Sequence, residues 1–192
     1  MDRFARTVLG YHGCNTLESV DFARRLLDGS VQIAQWQPST NDYDWLGQGV
    51  YFWEYAPDRA REWAGPNGAV VGCVIQLGRC FDLTNSAYTQ LLRASYEYVA
   101  RVYKARGLEL PKNEGRDLKL RKLDCLVINS FMVAMDNEAA GGGQDVFRYQ
   151  TIRCPFEEGD EVYPGSMLKT QTHIQIAVRD PSCILGVFRP NI

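Results

Sequence analysis

The chain has 192 residues, 45% of them hydrophobic and 23% charged, enough for one apolar core without a second domain. Its 21 Lys and Arg stand against 23 Asp and Glu, a formal net charge of −2, which excludes an overall basic nucleic-acid coat or an acidic tail. The longest apolar runs, Ala69–Leu77 and Leu123–Met135, are too short or too interrupted for a membrane span of roughly 20 residues.

The start Met1-Asp2-Arg3-Phe4-Ala5-Arg6 lacks the apolar stretch of a signal peptide, so the expectation is a cytoplasmic protein with no membrane partner. Cys14, Cys73, Cys80, Cys125, Cys154 and Cys183 form no C-x-x-C pair, and the chain has only two histidines. Free thiols and no bound metal are expected.

In chain order, Thr7–Tyr11 reads as a strand, and Thr16 opens a helix whose Leu17, Val20, Ala23, Leu26 and Leu27 share a face up to Gly29. Pro38–Asp42 is turn chemistry, and Gly47-Gln48-Gly49 leads into the β-rich Val50–Trp53. Pro57 begins a helix over Pro57–Ala64, ended by Gly65-Pro66. Ala69–Leu77 reads as a buried strand. Two amphipathic helices follow, one marked by Leu92, Tyr96, Val99 and Tyr103, the other by Leu120, Leu123, Val127, Phe131 and Ala134, on either side of a Gly107–Gly115 connection. Gly141-Gly142-Gly143 reads as a loop. Strands are predicted over Val146–Cys154, Thr172–Arg179 and Cys183–Phe188. Strands at both ends and helices between them predict an α+β fold.

Three clusters carry chemistry: Tyr11-His12-Gly13 after the first strand, Gly47-Gln48-Gly49-Val50-Tyr51-Phe52 before the Pro57 helix, and Thr172–Asp180 on a late strand. In this order they resemble the ADP-ribosyltransferases of the diphtheria-toxin and poly(ADP-ribose) polymerase type, the His-Tyr-Glu group. The resemblance runs from Leu9 to Phe188. It implies a split antiparallel sheet, one domain over residues 1–192, and a helical insertion over about 86–140 that the family pattern does not match. It also implies NAD as substrate and no metal. By the resemblance, His12 bonds a ribose hydroxyl, the Gly13 backbone grips the nicotinamide carboxamide, Tyr51 stacks on the nicotinamide and Trp63 completes the aromatic sandwich. Laying Val178-Arg179-Asp180 on the end of the family's third motif puts Gln175 where the catalytic Glu belongs.

Breaking the nicotinamide bond of NAD develops positive charge on the ribose, which a carboxylate stabilises; an amide can accept the ribose hydroxyl but carries no charge. The resemblance therefore implies a mono-ADP-ribosyltransferase with His12, Tyr51 and Gln175 as its catalytic residues. It would transfer ADP-ribose to a protein or nucleic-acid acceptor, as a bacterial intracellular toxin with an antitoxin partner. An NAD glycohydrolase and an inactive NAD- or ADP-ribose-binding module stay open beside it. Glu161 is the nearest carboxylate by sequence that could assist Gln175, and His173 is expected on the same strand face as Gln175. The segment Arg101–Lys122 carries net +5 against −7 for the rest of the chain, either a docking surface or a solvated helix face.

Overall fold

A computed structural model describes residues 6–142 and 148–192. The chain is α+β; the described residues form four α-helices and one seven-stranded sheet. The strands are β1 (Thr7–Cys14), β2 (Val50–Glu54), β3 (Ala69–Gln76), β4 (Cys80–Asp82), β5 (Thr151–Phe156), β6 (His173–Val178) and β7 (Ile184–Phe188). They lie in the order β4-β5-β6-β2-β1-β3-β7, and every pair is antiparallel except β4 with β5.

The mostly antiparallel sheet is as expected, and it is one hydrogen-bonded order with a narrow seam between β1 and β2. β1 pairs with β3 over its full eight residues, but its ladder to β2 holds only Gly10 opposite Glu54 and Tyr11 opposite Trp53.

Local sequence explains the helix ends. Thr16 caps α1 (Leu17–Leu27) by accepting the Ser19 N–H, while the Ser19 hydroxyl accepts the Thr16 N–H, so two of the free donors at the helix start are satisfied reciprocally. Leu17 is 91% exposed and leaves the expected apolar face; Ala23 and Leu26 are the residues α1 buries. Pro57 opens α2 (Pro57–Ala64) with its φ already helical, and Gly65 ends it at φ 71°. The expected helical middle is α3 (Ser86–Ala105) and α4 (Lys122–Gly142). Gly141 and Gly142 belong to α4 rather than to a loop, and Gly143 lies outside the described residues. The predicted strand Val146–Cys154 starts instead at Thr151 and runs on to Phe156.

Strand alternation gives each sheet face its own cover. On one face α1 and Trp36 pack over Val8, Val71, Cys73, Ile75, Phe52 and Ile176. On the other, α2 brings Ala60 and Ala64 against Trp53 and Val70, and α4 brings Ile128, Phe131 and Met132 against Phe81, Ile152 and Ala177. Arg153 ties three strands together, bidentate to Glu54 at 2.6 and 2.9 Å and reaching Asp82 at 3.3 Å, while Arg6 bonds Asp82 at 2.6 Å. Charge-assisted bonds of this fork geometry are among the stronger polar contacts.

Candidate functional site

His12, Gly13, Tyr51, His173 and Gln175 fall on three adjacent strands at the centre of the sheet, β1, β2 and β6, and Trp63 lies on α2. The register sets their faces. Tyr11 faces Trp53, Trp53 faces Gln175, and Gln175 faces Cys154, so these four side chains form a rank across one face. Tyr51 lies on the same face, two residues from Trp53 along β2 and therefore diagonal to Gln175. His173 shares that face, as expected.

His12 points the other way. Its half-buried ring meets Trp36 edge-on at 5.0 Å and lies 5.8 Å from Phe52, in the core under α1. Its link to the opposite face is a hydrogen bond, 2.7 Å from Nδ1 to the Tyr51 carbonyl, made where the β1–β2 ladder has ended. Burial holds the imidazole below its ordinary pKa, and the bond to that carbonyl works against the shift.

Tyr51 is a clamp. Its hydroxyl donates to the Gly47 carbonyl at 2.6 Å and accepts the Leu46 N–H at 2.8 Å. Burial, with Asp44 nearby, pushes the phenol well above its usual range, so it stays protonated and can keep donating. The turn it holds needs glycine twice. Gly47 has φ 71° and would drive a Cβ into Asn129 Oδ1, the atom that accepts the Gln48 N–H, and a Cβ at Gly49 would lie 3.1 Å from the Val178 carbonyl oxygen.

Gly13 is required by a protein neighbour: a Cβ there would sit 2.5 Å from the Ala60 carbonyl oxygen and 3.1 Å from Trp63 Cδ1. The absence of a side chain at 13 thus lets the α2 backbone lie directly on β1. Trp63, 60% exposed, tilts against the buried Trp53 with ring centres 6.0 Å apart.

Around Gln175 the structure joins the expected His173 to a carboxylate that sequence reasoning missed, Glu158. His173 lies 2.8 Å from the Gln171 carbonyl through Nδ1 and 3.1 Å from Gln175 Nε2 through its own Nε2. Glu158, rather than Glu161, is the carboxylate beside this pair, 3.6 Å from His173 Nδ1. It is also engaged by Arg59 at 3.0 Å and Lys119 at 3.3 Å, so two cations offset its charge. Glu161 is exposed and accepts the Gly165 N–H at 2.9 Å. Gln175 Oε1 and Trp53 Nε1 are both buried and have no hydrogen-bond partner among the described residues. A buried acceptor and a buried donor thus lie unpaired on neighbouring strands, against the usual rule that buried polar groups are hydrogen-bonded.

The basic segment is partly absorbed by the fold. Lys119 meets Glu158, Lys122 meets Glu114 at 2.5 Å, and the Arg121 guanidinium covers the Trp45 ring at 4.0 Å and Phe156 at 4.8 Å. Arg101, Lys104 and Arg106 remain exposed at the end of α3. Among the described residues no His, Cys, Asp and Glu cluster has metal-site geometry, and no helix is long and apolar enough to cross a membrane.

Comparison with family models, with curated proteins and with solved structures finds no match to this chain.

Proposed function

We propose that the chain is a mono-ADP-ribosyltransferase of the His-Tyr-Glu type that breaks the glycosidic bond between nicotinamide and ribose in NAD and passes ADP-ribose to a macromolecular acceptor. The observation that carries this reading is the convergence of three distant motifs on adjacent strands: His12 bonded to the Tyr51 carbonyl, and Trp53 of the Tyr51 strand directly opposite Gln175. Tyr51 and Gln175 share one sheet face, and His12, whose ring lies on the other face, reaches the Tyr51 backbone; all three are far apart in sequence.

The chemistry asked of each group is specific. As the bond from ribose C1 to nicotinamide nitrogen breaks, its electron pair leaves with nicotinamide and positive charge grows on the ribose; an acceptor nucleophile then bonds C1 and gives up its proton. Gln175 Oε1 is the buried acceptor for a ribose hydroxyl, the Gly13 backbone and Tyr51 hold the nicotinamide, and the exposed Trp63 is the second aromatic wall. Gln175 brings no charge, and Glu158 is offset by Arg59 and Lys119, so stabilisation of the growing cation is weak and one transfer rather than chain elongation is the expected outcome. The cytoplasmic toxin role, with an antitoxin partner, belongs to the same reading, and the exposed Arg101, Lys104 and Arg106 offer a surface to an acidic acceptor.

The deciding experiment incubates the purified protein with NAD labelled in its adenylate part, alone and with cell lysate, and follows nicotinamide release and transfer of label. Release with label in macromolecules supports the transferase; release without it makes the protein an NAD glycohydrolase. No release with retained NAD binding leaves a binding module, and neither binding nor release overturns the reading.

A further inference from the structure

Gln175 is 9% exposed and His173 only 5%, and they sit two residues apart on β6 with their side chains in contact. An amide can face a neighbour in either of two orientations, and the imidazole decides which. The Gln171 carbonyl at 2.8 Å accepts only, so the proton of a neutral His173 sits on Nδ1. Nε2 is then a bare lone pair, and the group that meets it at 3.1 Å must be the N–H side of the Gln175 amide. The carbonyl oxygen is thereby turned to the far side, where it has no partner.

We infer that His173 is a positioning residue that keeps the Gln175 carbonyl oxygen presented as an acceptor for a ligand hydroxyl, and that it does so only while its imidazole is neutral. Protonation puts a second N–H on Nε2, aimed at the Gln175 amide nitrogen; two donors then face each other, and the amide must turn its oxygen toward His173. The site would then offer an N–H where it had offered an oxygen. The device depends on keeping His173 neutral. Burial among Trp45, Trp53 and Phe156 disfavours the imidazolium and outweighs the Gln171 carbonyl and Glu158, which favour it; Arg59 of α2 and Arg121 ahead of α4 add to the disfavour, and Lys119 offsets Glu158 from the other side. Trp63, 60% exposed, rests on Trp53, the residue directly opposite Gln175.

That the hydroxyl belongs to a ribose rests on the NAD reading; the tautomer and the amide orientation do not. The test therefore begins without NAD. Imidazole nitrogen NMR of the protein, with His173→Asn used to assign its two histidines, is expected to show His173 as the Nδ1–H tautomer at pH 7.5 and to give a titration midpoint below 6.5. The Gln175 side-chain amide signal, assigned by its loss in Gln175→Glu, should step at that same midpoint in the wild type and not in His173→Asn, whose Oδ1 accepts the same N–H without titrating. An Nε2–H tautomer at pH 7.5, or an amide signal that ignores the midpoint, overturns the proposal. With NAD, nicotinamide release should fall about tenfold per pH unit below the His173 midpoint. His173→Asn should remove that limb, and His173→Leu should lose activity at every pH. Release that continues unchanged through the midpoint overturns the acceptor role. If the tautomer and the amide step are present but nicotinamide is never released, the NAD reading fails and the positioning role stands.

Discussion

The His12 imidazole and the Tyr51 carbonyl meet at 2.7 Å where the β1–β2 ladder has run out, so a side chain takes over from the backbone in joining the two strands. If this junction is the nicotinamide end of an NAD site, millimolar NAD raises the melting temperature of the wild type by mass action. His12→Ala removes the bridge and the ring between Trp36 and Phe52; it is expected to cost about 1–3 kcal/mol and to abolish the NAD-dependent shift. A thermal-shift series with and without NAD reads both effects, and a wild-type melt that does not move with NAD counts against the assignment.

Tyr51 separates anchoring from stacking. Tyr51→Phe keeps the ring but leaves the Leu46 N–H and the Gly47 carbonyl without the hydroxyl that served both. The expected loss is about 1–3 kcal/mol, or roughly 3–8 °C in melting temperature. If stacking is what the ring contributes to NAD, the NAD-induced rise persists on this lower baseline, and its disappearance would assign the hydroxyl itself to the site.

Gln175 tests the proposed chemistry at its simplest. Gln175→Ala removes the acceptor for a ribose hydroxyl and is expected to lower nicotinamide release by roughly 10- to 1000-fold, about 1.4–4 kcal/mol of transition-state stabilisation, with NAD affinity little changed. Gln175→Glu adds a charge at the developing cation and is expected to raise hydrolysis relative to transfer. Steady-state kinetics settles the matter: an alanine variant as fast as the wild type would place the catalytic group elsewhere.

Both histidines make the fold sensitive to mild acid. Burial holds His12 and His173 below 6.5 in the folded protein, whereas in the unfolded chain they titrate near that value. Between the folded and unfolded values the unfolded chain binds more protons, so stability is fully present above about pH 6.5 and falls as the pH drops through that value toward the folded one. Urea midpoints at pH 7.5 and pH 5.5 are expected to show the lower value in acid, and His173→Asn should narrow the difference.

Where the sequence was legible, a local rule had no competitor. Pro57 and Gly65 bound α2 at both ends because one fixes a helical φ and the other adopts a positive one, and the uniform apolar run of β3 could only be a buried strand. Gly141 and Gly142 misled for the opposite reason: poor helix formers read as a break, yet they continue a helix already packed on the sheet through Phe131 and Met132. Three-residue β4 is too short to show any period and owes its pairing to Thr151–Arg153, some 70 residues away. At the site, the shared face of His173 and Gln175 followed from strand alternation, but the choice of Glu158 over Glu161 depended on how a loop folds back toward Arg59 and Lys119. The opposite face of His12 was also readable in principle, since β1 alternates Val8, Gly10, His12 and Cys14 on the buried side; the unseen element was Trp36, an aromatic in a polar stretch that packs on it.

Two ladder pairs between β1 and β2, against eight between β1 and β3, make the centre of the sheet its least stitched line. Beyond those pairs and the Tyr55 N–H donated to the Leu9 carbonyl at 2.9 Å, what spans that line is side-chain packing: Phe52 and Trp36 on one face, α2 resting on Gly13 and Trp53 on the other. Strand separation there is governed by packing, which yields by fractions of an ångström, and not by a row of hydrogen bonds that are either made or broken. Amide exchange should find this line as the boundary between two blocks, with β1, β3 and β7 opening as one and β2, β6 and β5 as the other. The proposed NAD contacts lie on both sides of it, so a ligand held there would act as a splint across the two halves of the sheet.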